Sequence, residues 1–190
     1  MWKDSKMRDD PVTRAQGEAV AWPLTLAAAA LLGTVIIACM MPFVAIATVA
    51  AATMSRAQAV TAVIGVWAVN QVLGFGALGY PLTAHALMWG VALCAASIAA
   101  LFVTRRVIGG AAPSVLRLAS AFAAAFIVYE GLLYALSLVE GGGSEMFTPQ
   151  VVLSILLNDA VWLAVLTAMH AGLLRLAPQV FGPAPALRLR

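Results

Sequence analysis

Residues 82–106 read LTAHALMWGVALCAASIAALFVTRR, an apolar run that ends on a pair of arginines. No Lys, Arg, Asp or Glu occurs before that pair. A helix over residues 82–104 rises roughly 34 Å, which is enough to cross the ~30 Å hydrocarbon core of a bilayer. Lys and Arg near the ends of membrane spans collect on the cytoplasmic side. The stretch therefore predicts a transmembrane helix whose arginine end faces the cytoplasm.

The rest of the chain has the same character. Of its 190 residues, 63% are hydrophobic and 10% are charged, whereas a soluble domain has about 45–50% apolar and about 25% charged residues. The apolar segments are 21–39, 42–54, 58–75, 82–104, 114–139 and 149–177. Gly, Pro or polar residues, which interrupt helices, separate them. We predict an all-α polytopic membrane protein with six transmembrane helices over residues 21–177, of which 42–54 is short for a span.

The charges give this topology an orientation. With six spans and a cytoplasmic N-terminus, all eleven basic residues lie in cytoplasmic segments or at adjoining helix ends. The connections predicted to lie outside, near 40–42, 76–81 and 140–148, contain none. We therefore predict that both termini, residues 1–20 and 178–190, are cytoplasmic. The net charge of +3 follows from this distribution and does not indicate a nucleic-acid partner.

Two further features concern processing and chemistry. Residues 1–20 lack the pattern of a signal peptide, so we expect the first helix to be retained in a bacterial cytoplasmic (inner) membrane. Cys39 and Cys94 lie in apolar segments and predict no disulfide framework. The sequence contains no P-loop, H-E-x-x-H or G-x-S-x-G motif. We predict that the protein is not an enzyme and that it needs no cofactor.

Polar side chains inside the spans indicate where a ligand binds. Such groups are costly in hydrocarbon and usually face a bundle interior, a partner or a cavity. Helical spacing places polar and aromatic residues of four helices at one depth, in the outer half of the membrane. The predicted substrate-binding residues are Trp67, Asn70, Gln71, Tyr80, His85, Trp89, Glu130, Tyr134, Asn158, Asp159 and Trp162. In the sixth segment the predicted polar face is Gln150, Ser154, Asn158 and Trp162.

Structural interpretations of these residues remain open. Trp and Tyr are common membrane-interface anchors, a role that fits Trp22, Tyr80 and Trp89. Asn70 and Gln71 fit interhelical hydrogen bonds. The two cysteines and His170 fit packing roles. For Glu130 and Asp159 a functional role is favoured, because isolated acids are among the costliest residues in a span.

Small residues form two stripes at helical spacing. They are Thr25, Ala29 and Gly33 in the first segment, and Ala92, Ala96 and Ala100 in the fourth. Such stripes allow helices to approach closely. They predict either packing within the bundle or a docking face for a separate membrane protein.

The layout resembles the substrate-binding S component of energy-coupling factor vitamin transporters. The resemblance implies a pocket open to the outside and covered by the loops after helices one, three and five, which are MMP, GFGALGYP and EGGGSEMFTP here. It also implies a docking stripe at Thr25, Ala29 and Gly33 for a transmembrane coupling subunit that works with ATPases. Some solitary members bind cobalamin and have a cysteine near the pocket, and Cys39 is at the matching depth.

The leading hypothesis is therefore a membrane-embedded subunit that binds a vitamin-like small molecule for uptake, with residues 74–81 as a lid. A second hypothesis is a haem-binding electron-transfer subunit, for which only His85 and His170 offer axial imidazoles. A third is a non-catalytic accessory or assembly subunit of a larger membrane complex. A proton- or ion-coupled carrier using Glu130 and Asp159 is the fourth.

Overall fold

The computed structural model of the chain describes residues 20–29, 41–109, 114–141 and 144–181. Over these residues all the regular secondary structure is helical. The helices are α1 (Val20–Ala29), α2 (Phe43–Thr53), α3 (Arg56–Val72), α4 (Ala84–Ile108), α5 (Val115–Glu140), α6 (Pro149–Leu176) and α7 (Pro178–Phe181). A π-helix, Leu73–Ala77, extends α3, and a 3₁₀-helix, Ser144–Phe147, precedes α6.

Four helices are long and apolar enough to cross a membrane: α3 with its π-helical extension, α4, α5 and α6. The prediction of an all-α protein of the membrane type is confirmed at this level. The exteriors of these helices are apolar as well. Val91 on α4, Ile127 on α5 and Val161 on α6 are 63%, 71% and 61% exposed. Apolar faces of this extent suit contact with lipid.

Polar residues between the apolar segments fix where the helices begin. The side chains that cap α3, α4, α5 and α6 are Ser55, Thr83, Ser114 and Thr148. Each accepts a hydrogen bond from a backbone N–H in the first turn, which otherwise has no partner within the helix. Gly109 and Gly141, both with positive φ, follow the last residues of α4 and α5.

The short helix α2 forms the centre of the bundle. It is buried from Phe43 to Ala51 and packs against α3, α4, α5 and α6. Its 11 residues rise only roughly 16 Å, about half of the hydrocarbon thickness. Segment 42–54 is therefore a half-length helix enclosed by longer ones.

One end of the bundle contains every arginine that the structure describes, and we call it the arginine end. These residues are Arg56, Arg105, Arg106, Arg117 and Arg175. The Arg105 side chain donates from Nη2 to the carbonyl of Met54 at 2.7 Å, which ties α4 to the end of α2. The Arg56 guanidinium lies 5.1 Å from the centre of the Phe102 ring.

Helix α1 packs onto the arginine end through one face. Trp22 and Leu26 are buried, and Trp22 Nε1 donates to Thr53 Oγ1 at 2.8 Å. The Trp22 ring also lies 4.4 Å from the ring of His170 on α6. Trp22 is thus a packing residue of the core and not an exposed interface anchor, and His170 is its neighbour.

The two small-residue stripes differ in position. In α4, Ala96 and Ala100 are fully buried, so this stripe serves packing inside the bundle. In α1, Thr25 and Ala29 are half-buried at the border of the packed face. Gly33 and Cys39 lie outside the described residues.

Candidate ligand cavity

A cavity of about 1020 Å³ lies at the end of the bundle opposite the arginine end. It is partly open and lies where α2, α4 and α6 begin and where α3 and α5 approach their ends. Eight of the predicted substrate-binding residues line it: Asn70, Gln71, Tyr80, His85, Trp89, Glu130, Asn158 and Asp159. The polar and aromatic residues that the sequence places at one depth on four helices thus lie around this cavity. Its size and its mostly apolar wall are typical of small-molecule sites.

The floor of the cavity is the beginning of α2, capped by an acid from another helix. The residue before α2 is Pro42, and it makes no side-chain cap. Instead, the backbone N–H of Ala45 donates to Asp159 Oδ1 at 2.7 Å, and Val44 N–H is a second donor. Asp159 is 1% exposed. Its carboxylate therefore satisfies the unpaired N–H groups of α2 and complements the positive end of the helix dipole.

Glu130 on α5 is the second buried acid of the cavity, and its environment differs. It is 8% exposed, and its Oε2 atom has no hydrogen-bond partner within the described part of the chain. Buried polar atoms are nearly always paired, so an unpaired one needs an explanation. At the wall of a cavity, such an oxygen is able to accept a hydrogen bond from a ligand or a water molecule.

Close contact between α3 and α4 in the cavity wall depends on a glycine, Gly90. A side chain at Gly90 would meet Gln71 Oε1, because a Cβ atom there would lie 2.5 Å from it. Trp67 Nε1 donates to the carbonyl of Gly90 at 2.6 Å. Because Gly90 has no side chain, the Gln71 amide lies directly against α4 in the wall of the cavity.

The π-helix and the loop that follows it form the rim of the cavity between α3 and α4. Tyr80 N–H donates to the carbonyl of Gly74 at 3.0 Å, and the Tyr80 ring lies over Gly74, where a Cβ would come within 3.0 Å of it. Gly79 adopts φ of 69°, which favours glycine. Short π-helical segments are frequent at functional sites. Residues 74–81 thus fold over one side of the cavity, where a lid was predicted.

His85 lies at the rim and is paired. Its Nδ1 atom lies 2.7 Å from Glu140 Oε2, and this contact joins the first turn of α4 to the last residue of α5. The His85 side chain is 67% exposed. The sequence places both residues on the outer side but does not show that they meet.

Three predicted ligand-binding residues do not line the cavity. Trp67 lies one turn below it, bonded to Gly90. Tyr134 is half-exposed and packs against Phe147, with 5.4 Å between ring centres. Trp162 packs against the hydrophobic core. They remain near the site but are not positioned to contact a ligand in this structure.

The faces of α5 and α6 explain these differences. On α5 the lining residues are Tyr129, Glu130 and Leu133, so the predicted residue Glu130 faces the cavity and the predicted residue Tyr134 does not. On α6 they are Val151, Ile155, Asn158 and Asp159. Gln150 and Ser154 are exposed instead, with the Ser154 hydroxyl donating to the Gln150 carbonyl. A pattern of polar residues indicates the interior face only when the exterior face is apolar, and α6 has polar residues on both.

Sequence reasoning missed the apolar and aromatic lining residues that lie within the predicted helices, which include Phe43, Leu73, Leu93 and Tyr129. The lining residues Met41, Phe75, Leu78, Met146 and Phe147 lie in the three loops that the resemblance implies as the cover of the pocket. Phe43 was not expected, because α2 was treated as a possible span and not as the floor of a site. Of the residues missed within helices, only Tyr129 had a signal in the sequence, its position beside Glu130.

Comparisons with protein-family models, with curated proteins and with solved structures found no match for this chain. The residues that the structure describes contain no group of three or more His, Cys, Asp and Glu side chains able to hold a metal ion.

Proposed function

We propose that this chain is a membrane-embedded subunit that binds a vitamin-like small molecule for uptake, as the S component of an energy-coupling factor transporter does. One observation carries the proposal. A cavity of about 1020 Å³ with an apolar and aromatic wall contains a buried acid, Glu130, whose Oε2 atom has no hydrogen-bond partner in the part of the chain that the structure describes. Ligand sites combine an apolar wall with a few polar groups that fix orientation, and this cavity has that composition.

The proposed topology has six helical segments, with α2 as the half-length one and both termini in the cytoplasm of a bacterium. Its support is the separation of charge: the described arginines lie at the end opposite the cavity. By the positive-inside rule the arginine end is cytoplasmic. The cavity then opens toward the outside, where a substrate for uptake arrives.

We propose that α1 offers the contact for an energising partner, a transmembrane coupling subunit that works with ATPases. Trp22 and Leu26 pack into the core from one face of α1, whereas Leu24 is 63% exposed. Thr25 is half-buried, Ala29 is half-buried against the core, and the Thr25 hydroxyl donates to the Ala21 carbonyl of its own helix at 2.8 Å. The face therefore presents small groups without an unpaired hydroxyl, which suits close helix packing.

Cysteine labelling tests the orientation. In a chain with Cys39 and Cys94 replaced by alanine, Ala84→Cys places a thiol at the cavity end and Val107→Cys places one at the arginine end; both positions are exposed. We expect a membrane-impermeant maleimide to label Ala84→Cys in intact spheroplasts and Val107→Cys only after permeabilisation. The reverse pattern, or labelling of both in intact spheroplasts, contradicts the topology.

Blocking the cavity tests the binding function. Ala86 lines the cavity, whereas Ala84, two residues earlier on α4, is exposed and does not. We expect native mass spectrometry of the gently purified protein to show a non-lipid ligand, and Ala86→Trp to abolish it because the indole occupies the cavity. Ala84→Trp is the matched control and retains the ligand. A wild-type protein without a non-lipid ligand, or an Ala86→Trp variant that keeps it, contradicts the proposal and favours an accessory role.

A further inference from the structure

The charges around the cavity are unbalanced. Two acids, Glu130 and Asp159, line it, and no Lys or Arg side chain is among the lining residues of the described ranges. The His85 imidazole at the rim already lies against Glu140. A bound anion would therefore meet negative charge with no cationic side chain to offset it.

The two acids are not equivalent. The Asp159 carboxylate accepts backbone N–H groups at the beginning of α2, so the positive end of that helix balances its charge. Glu130 lies within α5, far from the first turn of that helix, and its Oε2 atom has no hydrogen-bond partner among the described residues. Glu130 is thus the acid that lacks a counterpart.

Aromatic rings lie around the same space. The ring centres of Phe43 and Tyr129 lie 6.4 Å apart at the floor of the cavity, and Trp89 on α4 lines its wall. The faces of aromatic rings attract cations, with Trp the strongest. A flat apolar group also packs well against such rings.

We propose that the ligand of this cavity is an amphipathic organic cation, an ammonium or protonated nitrogen heterocycle joined to an apolar ring system. Its cationic N–H donates to Glu130 Oε2, and its apolar part lies against Phe43, Tyr129 and Trp89. This inference rests on the proposed binding function and specifies the substrate class of the same cavity. Carboxylate and phosphate ligands are disfavoured by the Glu130 carboxylate, because no Lys or Arg side chain of the described ranges lines the cavity to offset its charge.

Three indole probes of similar size test the charge preference. Tryptamine is cationic, tryptophol is neutral and indole-3-acetate is anionic. Calorimetric titration into the purified protein in nanodiscs is expected to show tryptamine binding at least 10-fold more tightly than the other two. A hydrogen bond to a charged group contributes about 1.5–3 kcal/mol, or roughly a 10- to 100-fold change in affinity. In Glu130→Gln we expect tryptamine affinity to fall by that factor while tryptophol affinity is unchanged.

Glu145→Gln is the matched control, because Glu145 is exposed, does not line the cavity and carries the same charge change. It leaves all three affinities unchanged. No binding of tryptamine, equal binding of the three probes, or an equal effect of the two substitutions overturns the cation inference. A neutral or anionic ligand that co-purifies and is lost in Ala86→Trp overturns it as well, but leaves the binding function standing.

Discussion

Asp159→Ala is expected to lower the apparent unfolding temperature of the purified protein by about 5–10 °C. The substitution removes the carboxylate that accepts Ala45 N–H at 2.7 Å and leaves buried donors at the beginning of α2 unpaired. An unsatisfied buried donor costs about 1–3 kcal/mol, and each kcal/mol shifts the midpoint by roughly 2–4 °C in a chain of this size. Because α2 is the centre of the bundle, the loss affects every helix that packs on it.

Two further variants separate this cap from other effects. Asp159→Asn keeps an oxygen acceptor and is expected to lower the unfolding temperature by less than half as much. Ser154→Ala removes an exposed hydroxyl from the same helix and leaves the unfolding temperature unchanged. Thermal unfolding followed by circular dichroism measures all three. If Asp159→Ala unfolds at the same temperature as Ser154→Ala, Asp159 does not cap α2.

Trp22→Ala is expected to destabilise the protein by about 3–5 kcal/mol, the usual cost of truncating a buried aromatic residue. The indole is 5% exposed, donates to Thr53 and lies on the His170 ring. Its removal leaves a cavity between α1, α2 and α6 and should free α1 from the bundle. Limited proteolysis between α1 and α2, together with thermal unfolding, measures the effect.

The control for this prediction lies on the same helix. Leu24 is 63% exposed, so Leu24→Ala removes a large apolar side chain without opening a cavity. Trp22→Phe keeps most of the packing and loses the hydrogen bond, and its effect should be intermediate. Equal stability of Trp22→Ala and Leu24→Ala contradicts the packing of α1 described above.

The sequence predicted the helices well, because the signals involved are local. Segments 82–104, 114–139 and 149–177 correspond to α4, α5 and α6 within a few residues. Runs of apolar side chains and the capping residues between them are properties of neighbouring positions. The count of six spans, the cytoplasmic termini and the resemblance to S components stay predictions.

The candidate site was predicted in part. Asn70, Gln71, Glu130 and Asp159 line the cavity as expected, because buried polar residues in a span rarely face lipid. Tyr134 was predicted to bind the ligand, but Tyr129, five residues earlier on α5, lines the cavity in its place. The rotation of a helix about its own axis decides between them, and polar residues on both faces leave that rotation undetermined.

By itself, the sequence determined that this protein is a helical chain of the membrane type with polar groups concentrated toward one end. Transfer energy and helix capping act over a few residues, so their pattern is readable along the chain. Only the tertiary structure showed that α2 is the enclosed floor of a cavity and that Asp159 caps it from 114 residues away. It also showed that Glu130 Oε2 has no partner within the described ranges of the chain. Partners across the bundle depend on how helices are placed in space, and no local signal encodes that placement.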